Sequence, residues 1–274
     1  MWEAEIKDIS GKFDLHPAPP QEAQHTFRTS ELLEPEGMRT FLACYGPMMK
    51  ALDDKATAAY FGGWFASVAL AVQYSLSVYS AVPVIILQNL SVHLIPANGF
   101  CRVAFSLEPW SMATAPEGEE ERKAWRSKVF ETFYHEHAAP LLSTLSAVSG
   151  LALTEIWGQQ PTKFNYYVEL LSSSGTDLNG SGDRLPAGRI LEDYSALKEL
   201  DSSIFGLRRN PFQVTVRKIE ALDSPDKSVN MRNRCCQYYR TEGGSYCYTC
   251  PRLKEEERAA RRTEFRRAAA EKQA

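Results

Sequence analysis

Between Lys55 and Arg102 the chain carries no Lys, Arg, Asp or Glu. So long an uncharged run cannot lie on the surface of a globular protein, so it is either the middle of a core or a membrane span. Gly62-Gly63, Gln73, several serines, Pro83, Gln88-Asn89 and His93 dilute its hydropathy, which favours burial inside protein over insertion into lipid. Residues 53–80 support one long helix, with Tyr60, Trp64, Val68 and Ala71 on one side and Gln73, Ser77 and Ser80 on another. A helix apolar nearly all round belongs at the centre of a core. Its Gln/Ser stripe reads as a helix–helix contact, with a ligand pocket as the competing use. Pro83 closes this helix. Residues 84–87, 91–95 and 100–107 then read as strands, and their short turns favour antiparallel pairing.

The remaining sequence builds around that centre. Residues 1–29 read as loop and short extended structure. Ser30 can cap a short helix, and a second helix over 36–45 is broken by Gly46-Pro47. Helices follow over 117–137 and 140–148. A further one runs from 153 to 171 with a kink at Pro161, and a short one covers 189–200. Ser172 to Gly188 reads as a surface loop, residues 212–219 as a strand, and 223–228 as a linker. From Lys254 onward Glu, Arg and Ala dominate, which predicts an exposed helix that frays. The expected fold class is α+β: a helical body packed on a mainly antiparallel sheet, with a small C-terminal lobe. The expected division is 1–225 for the body and 226–274 for the lobe.

Four of the six cysteines, Cys235, Cys236, Cys247 and Cys250, fall in that lobe. Adjacent residues have Cα atoms about 3.8 Å apart, too close for an ordinary disulfide between Cys235 and Cys236. Their side chains point to opposite sides of an extended backbone, so both reach one ion only if the chain bends there. Cys247-Tyr-Thr-Cys250 fits one tight turn with both sulfurs inward, the geometry of thiolate ligation. Gly243-Gly244 lies between the pairs, where the chain must fold back with φ > 0. Four soft thiolates suit zinc or an iron-sulfur cluster. Zinc loops normally present two spaced pairs, and a disulfide framework belongs to short secreted chains, so an iron-sulfur cluster is the favoured ligand, with zinc as the alternative. Tyr238, Tyr239, Tyr246 and Tyr248 crowd the cysteines, where they can shield a cluster or contact a bulky ligand. The amides of Gly243, Gly244 and Tyr246 are candidate N–H···S donors.

The spacing Cys235-Cys236, ten residues, Cys247, two residues, Cys250-Pro251 resembles the signature of the FhuF-type ferric siderophore reductases. Trp157-Gly158 and Arg208-Arg209-Asn210-Pro211 resemble further, looser features of that family. The resemblance implies that Cys235, Cys236, Cys247 and Cys250 ligate a 2Fe-2S cluster. It implies one-electron reduction of a ferric siderophore, of hydroxamate type, with release of Fe(II). Electrons would come from an external ferredoxin, flavodoxin or reductase, and the setting would be the cytoplasm or the periphery of the inner membrane. A zinc-stabilised binding protein, or a cluster protein of siderophore biosynthesis or iron sensing, are the competing functions.

Other chemistry is thinly represented. The net charge of −3 excludes general nucleic-acid binding. It divides unevenly: residues 226–274 hold twelve Lys/Arg against seven Asp/Glu, a surplus of +5, so the first 225 carry −8. A basic setting favours the reduced form of a cluster and docking of an acidic donor. The N-terminal Met-Trp-Glu-Ala-Glu-Ile-Lys-Asp has no apolar core and does not read as a signal peptide. There is no Walker pattern or Gly-x-Gly-x-x-Gly after a strand, so no flavin, nicotinamide or nucleotide site is expected. His135 and His137 are two apart on an expected helix and cannot share a metal, which leaves them a surface role. Cys44 and Cys101 read as small core residues.

Overall fold

The computed structural model describes residues 2–173 and 187–272. The chain opens with a helix, α1 (Glu3–Phe13), where loop and extended structure were expected. The correction has a plain cause: Ile6, Ile9 and Phe13 make a narrow apolar stripe, and Ile9 and Phe13 are fully buried by it. Then come β1 (Leu15–His16), β2 (His25–Arg28), a 3-10 turn at Glu31–Leu33 and α2 (Pro35–Met48). Helix α2 runs through Gly46-Pro47 and stops just beyond. A proline in the last turn removes one hydrogen bond only, so the break is displaced rather than absent.

Helix α3 (Asp54–Tyr79) is the centre. The Asp53 side chain caps its start by accepting from Ala56 N, and Ser80, at φ 48°, ends it before Pro83 is reached. It touches α1, α2 and the later helices α5 (Ala139–Ser149), α6 (Leu153–Trp157), α7 (Gln160–Ser173) and α8 (Ala187–Glu199). It is the one helix among the described residues long and apolar enough to cross a membrane, yet 83% of its apolar window is buried inside the fold. Gly62 is the point of closest approach: a Cβ there would lie 2.9 Å from Ile156 Cγ2 and 3.2 Å from the Ile156 carbonyl oxygen.

Against this helix packs a four-stranded sheet in the order β1-β5-β4-β2, with β4 (Leu90–Ala97) and β5 (Phe100–Leu107) at its middle. β4 pairs antiparallel with β5 (Leu90 opposite Leu107) and with β2, while the two-residue β1 joins β5 in parallel. Residues 84–87 are not a strand. The Asn89 side chain accepts from Ile86 N and donates to the Val84 carbonyl, occupying groups that a ladder would need. The strand at this place is instead β3 (Ala81–Pro83), paired with the unanticipated β6 (Met112–Thr114). The fold is thus α+β, with a mainly antiparallel sheet as expected.

Helix α4 (Glu119–Glu131) continues through a π-helical turn at Thr132–Ala138 into α5. The expected kinked helix over 153–171 is two helices, because the chain turns at Gly158-Gln159 and Pro161 occupies the first turn of α7, where proline is tolerated. Most of the expected loop from Ser172 to Gly188 lies outside the described residues. The Gln73/Ser77 stripe is a helix–helix contact, as expected. Gln73 Nε2 donates to Ser77 Oγ at 3.3 Å, and Ser77 donates to Asp193 Oδ2 of α8 at 2.8 Å. Arg122 and Arg126 of α4 hold the same buried carboxylate at 2.8–3.0 Å.

Of the strand expected over 212–219, only β7 (Lys218–Glu220) forms, and Phe212 is buried as an anchor instead. The expected linker is the turn of a hairpin in which β7 pairs antiparallel with β8 (Ser228–Asn230), so the hairpin spans the 225/226 border. A second, small core contains Cys235, Cys250 and Leu253, with Tyr239, Tyr246 and Cys247 around it. Helix α9 (Glu255–Glu271) closes the described chain.

Candidate metal centre

The first cysteine pair arrives on a segment seated across the α6–α7 turn. Asn233 N donates to Thr162 Oγ1 at 3.1 Å, and Gln159 Nε2 donates to the Cys235 carbonyl at 3.1 Å. At Gly158 a Cβ would fall 2.2 Å from Arg234 Cγ and 2.9 Å from the Thr154 carbonyl oxygen, so only glycine lets this segment lie flat. The fully buried Trp157 fixes the turn from inside. Trp157-Gly158 is therefore the seat of the cysteine lobe. Asn210, in the other upstream feature, donates to the Leu197 and Leu200 carbonyls at 2.9 and 3.1 Å, and so ends α8 within the body.

The loop between the pairs is anchored on the start of α3. Leu52 N donates to the Arg240 carbonyl and Glu242 N to the Lys50 carbonyl, both at 2.9 Å. Arg240 forms an ion pair with Asp53, the same residue that caps α3. Burial pushes the Asp53 carboxyl upward, but Arg240 and the Ala56 N–H outweigh it and hold the group below the usual range. Within the loop, Gln237 and Gly243 turn the backbone at φ 61° and 70°. A Cβ on Gly244 would come 1.9 Å from the Tyr238 carbonyl oxygen.

Helix α9 clamps the lobe from outside. Arg258, 3% exposed, donates to the carbonyls of Tyr248, Cys250 and Leu253 at 3.0–3.2 Å. Arg262 reaches the Tyr248 hydroxyl at 3.2 Å, and Arg266 reaches Glu220 of β7 at 2.7 Å. These three lie four residues apart on one face. The exposed, fraying helix expected here does show an exposed outer face, with Phe265 46% exposed, but its inner face is tied down.

The sulfurs meet two by two. Cys235 and Cys250 are buried with their Sγ atoms 3.6 Å apart, while the half-buried Cys236 and Cys247 share a hydrogen bond. All four are free thiols. The alternation of adjacent side chains, which makes Cys235-Cys236 awkward around one ion, is what sends one sulfur inward to Cys250 and the next outward to Cys247. Two thiolates on one tetrahedral metal at ~2.3 Å sit about 3.8 Å apart, so the inner pair is already at the spacing of two ligands. Among the described residues no three His, Cys, Asp or Glu converge as a single ion would need. Two pairs fit a two-metal centre better than one zinc.

Hydrogen bonding from Cys236 brings the Cys247 thiol down to about 7, with the Arg232 guanidinium helping against burial. The same bond, then burial, pushes Cys236 up. Of the expected N–H···S donors, Gly244 N donates to the Thr241 carbonyl instead. Amides that do reach sulfur include Arg252 N, 3.4 Å from Cys250 Sγ, and Tyr238 N at Cys236. The tyrosines divide their roles: Tyr239 and Tyr246, ring centroids 4.8 Å apart, cover the small core. Tyr248 hydrogen-bonds to the Glu220 carbonyl, and Tyr238 is exposed.

Cys236 has a second neighbourhood. It forms part of the wall of a cavity of about 680 Å³ between α3, α7 and the β7–β8 hairpin, with Tyr60, Trp64, Lys163, Tyr166 and Arg232. Burial, then Arg232, depresses the Lys163 ammonium to about 8. None of these five residues was singled out for this in the sequence. The available signal was the four-residue spacing of Tyr60 and Trp64 beside the three-residue spacing of Lys163 and Tyr166. Elsewhere, burial raises Cys101 to about 11, as befits an inert core thiol, and Cys44 is half-buried. His135 is exposed, but His137 is half-buried in the π-helical turn, and burial lowers its pKa.

Residues 232–252 match the family model described as the FhuF 2Fe-2S C-terminal domain. This segment resembles a FhuF-type 2Fe-2S domain. No curated protein matches the chain. The cofactor of the FhuF-type domain is a 2Fe-2S cluster, so the zinc alternative gives way, and a site offering thiols in two pairs is the donor set such a cluster takes.

Proposed function

We propose that the chain reduces the iron of a ferric siderophore by one electron and so releases it as Fe(II), with Cys235, Cys236, Cys247 and Cys250 as the cluster ligands. A 2Fe-2S cluster bound there supplies the one-electron reductant. The observation that carries the proposal is the position of Cys236, which is paired with Cys247 on one side and faces the 680 Å³ cavity on the other. A complex seated in that cavity is within reach of a cluster ligand.

Each neighbouring residue has a definite task. Cys235 and Cys250 hold the buried edge, and Cys236 and Cys247 the edge nearest the cavity. The Arg232 guanidinium favours negative charge on the outer sulfurs, and Arg252 N–H does so at Cys250. Tyr239 and Tyr246 keep water from the inner edge. The siderophore's hard oxygen donors match Fe(III) and hold Fe(II) weakly. One electron enters from an external donor of ferredoxin, flavodoxin or reductase type and leaves on the iron. Solvent protons take the place of the metal on the freed oxygens. The reading places the protein in the cytoplasm or at the periphery of the inner membrane, with residues 1–225 as the body that positions the complex and 226–274 as the cluster region.

The test is anaerobic. Fully reduced protein mixed with a ferric siderophore and an Fe(II)-trapping dye is expected to yield one Fe(II) per cluster oxidised, and Cys247→Ser to lose both cluster and yield. Reduced protein that keeps its electron in the presence of the siderophore would point to sensing or biosynthesis instead.

A further inference from the structure

Among the described residues, the wall of the cavity beside Cys236 carries more cations than carboxylates. Three cations line it, Lys163, Lys218 and Arg232, against one carboxylate, Glu169. Lys218 lies 3.6 Å from Glu169 at the rim, and Asn230 donates to the same carboxylate at 3.0 Å. Among the described residues, neither Lys163 nor Arg232 has a carboxylate within ion-pair distance. Lys163 is held over the Trp64 ring, 5.2 Å from its centroid, with Ser67 Oγ 3.4 Å away. Arg232 also faces the outer sulfurs of Cys236 and Cys247, whereas Lys163, repelled by Arg232 and with Asp14 beyond ion-pair distance, has no counter-charge of its own in this partly dry cavity, a position that favours an anionic occupant.

The rest of the wall says what else the occupant needs. Tyr60 and Trp64 of α3 stand on one side, and Tyr166 of α7, 61% exposed, on the other. Aromatic faces suit the apolar arms of a chelator, and the volume lies within the ~300–1,000 Å³ of ordinary small-molecule sites.

Building on the reductase reading, we infer that this cavity is the substrate site, and that it selects ferric chelates of net negative charge, with Lys163 and Arg232 as the charge-reading residues and Tyr60, Trp64 and Tyr166 as the apolar wall. Hydroxamate donors remain compatible, provided the complex carries additional carboxylate. A neutral or cationic trihydroxamate complex lacks the charge that the two cations call for.

Gallium(III) complexes test this without electron transfer, because gallium(III) has the charge and size of iron(III) and is not reduced. Oxidised, cluster-loaded protein is titrated by calorimetry with the gallium complex of a carboxylate-bearing citrate-hydroxamate siderophore, and separately with that of a neutral trihydroxamate. The anionic complex is expected to bind about tenfold or more tightly at low salt, and to lose that advantage as salt rises. Lys163→Met preserves the packed stem and removes the charge. It is expected to weaken the anionic complex about tenfold while leaving the neutral one and the cluster's visible spectrum unchanged. Lys163→Arg, which restores the charge, is expected to bind within a few-fold of the unaltered protein. Equal affinity for the two complexes, or an unchanged affinity in Lys163→Met, would overturn the inference. Fe(II) release persisting in that event would leave the reductase reading standing, whereas selective binding without Fe(II) release would sink the reductase reading and spare the site.

Discussion

At the scale of single residues, the grouping of the cysteines was legible because four thiols in a short stretch admit few explanations. The two glycines between them were legible in kind but not in role. Gly243 supplies the positive φ, while Gly244 is required for space against the Tyr238 carbonyl. The two should respond differently: Gly243→Ala costs about 1–2 kcal/mol of backbone strain and keeps the cluster. Gly244→Ala forces the loop open, and the purified protein is expected to hold little iron while its far-ultraviolet circular dichroism is unchanged. Lys163 and Arg232 were not legible, since nothing in the sequence says that positions so far apart share a cavity. Nor was the environment of His93, which is fully buried between Thr26 Oγ1 at 2.9 Å and Ser106 Oγ at 2.8 Å. Burial, and then His16, lowers its pKa to about 4. Below pH 6.5 the unfolded chain takes up a proton that the folded one refuses, so stability is full above pH 6.5 and falls as pH drops toward 4. Urea midpoints across that range are expected to show a loss of about 2–3 kcal/mol, which His93→Gln reduces.

At the scale of elements, length and composition decided what could be read. Helix α3 announced itself through the absence of charge, and β4 and β5 through burial and tight turns. The short pieces did not: α1 rests on three apolar side chains, β6 is three residues long, and residues 84–87 lose their strand to one asparagine side chain. The arginines of α9 were visible as a four-residue repeat, yet only the carbonyls they meet show that the helix is docked. The α3–α4–α8 junction could not have been read at all, because Asp193 looks like any helical surface acid. It is fully buried and holds Arg122, Arg126 and Ser77 together. Asp193→Asn leaves the buried Arg122 without a counter-charge and Arg126 with only the partly exposed Glu192. It is expected to destabilise the body by about 3 kcal/mol or more, read as a lower urea midpoint, with the cluster's absorption unchanged before the transition.

At the scale of the whole molecule, the α+β class was readable, and so was the gathering of cysteines towards the C-terminal end of a largely helical body. How the two meet was not. Trp157-Gly158 receives the first cysteine pair, Asp53 holds the loop to the second, and the β7–β8 hairpin ties the segments on either side of residue 225. These joints place Cys236 in the wall of a cavity. The most direct measurement is the iron, zinc and inorganic sulfide content of freshly purified protein, with its electron paramagnetic resonance spectrum before and after dithionite. The account predicts about two irons and two sulfides per chain, no signal when oxidised, and a spin-one-half signal after uptake of a single electron. Thiols found free, or occupied by zinc with no sulfide, would contradict it.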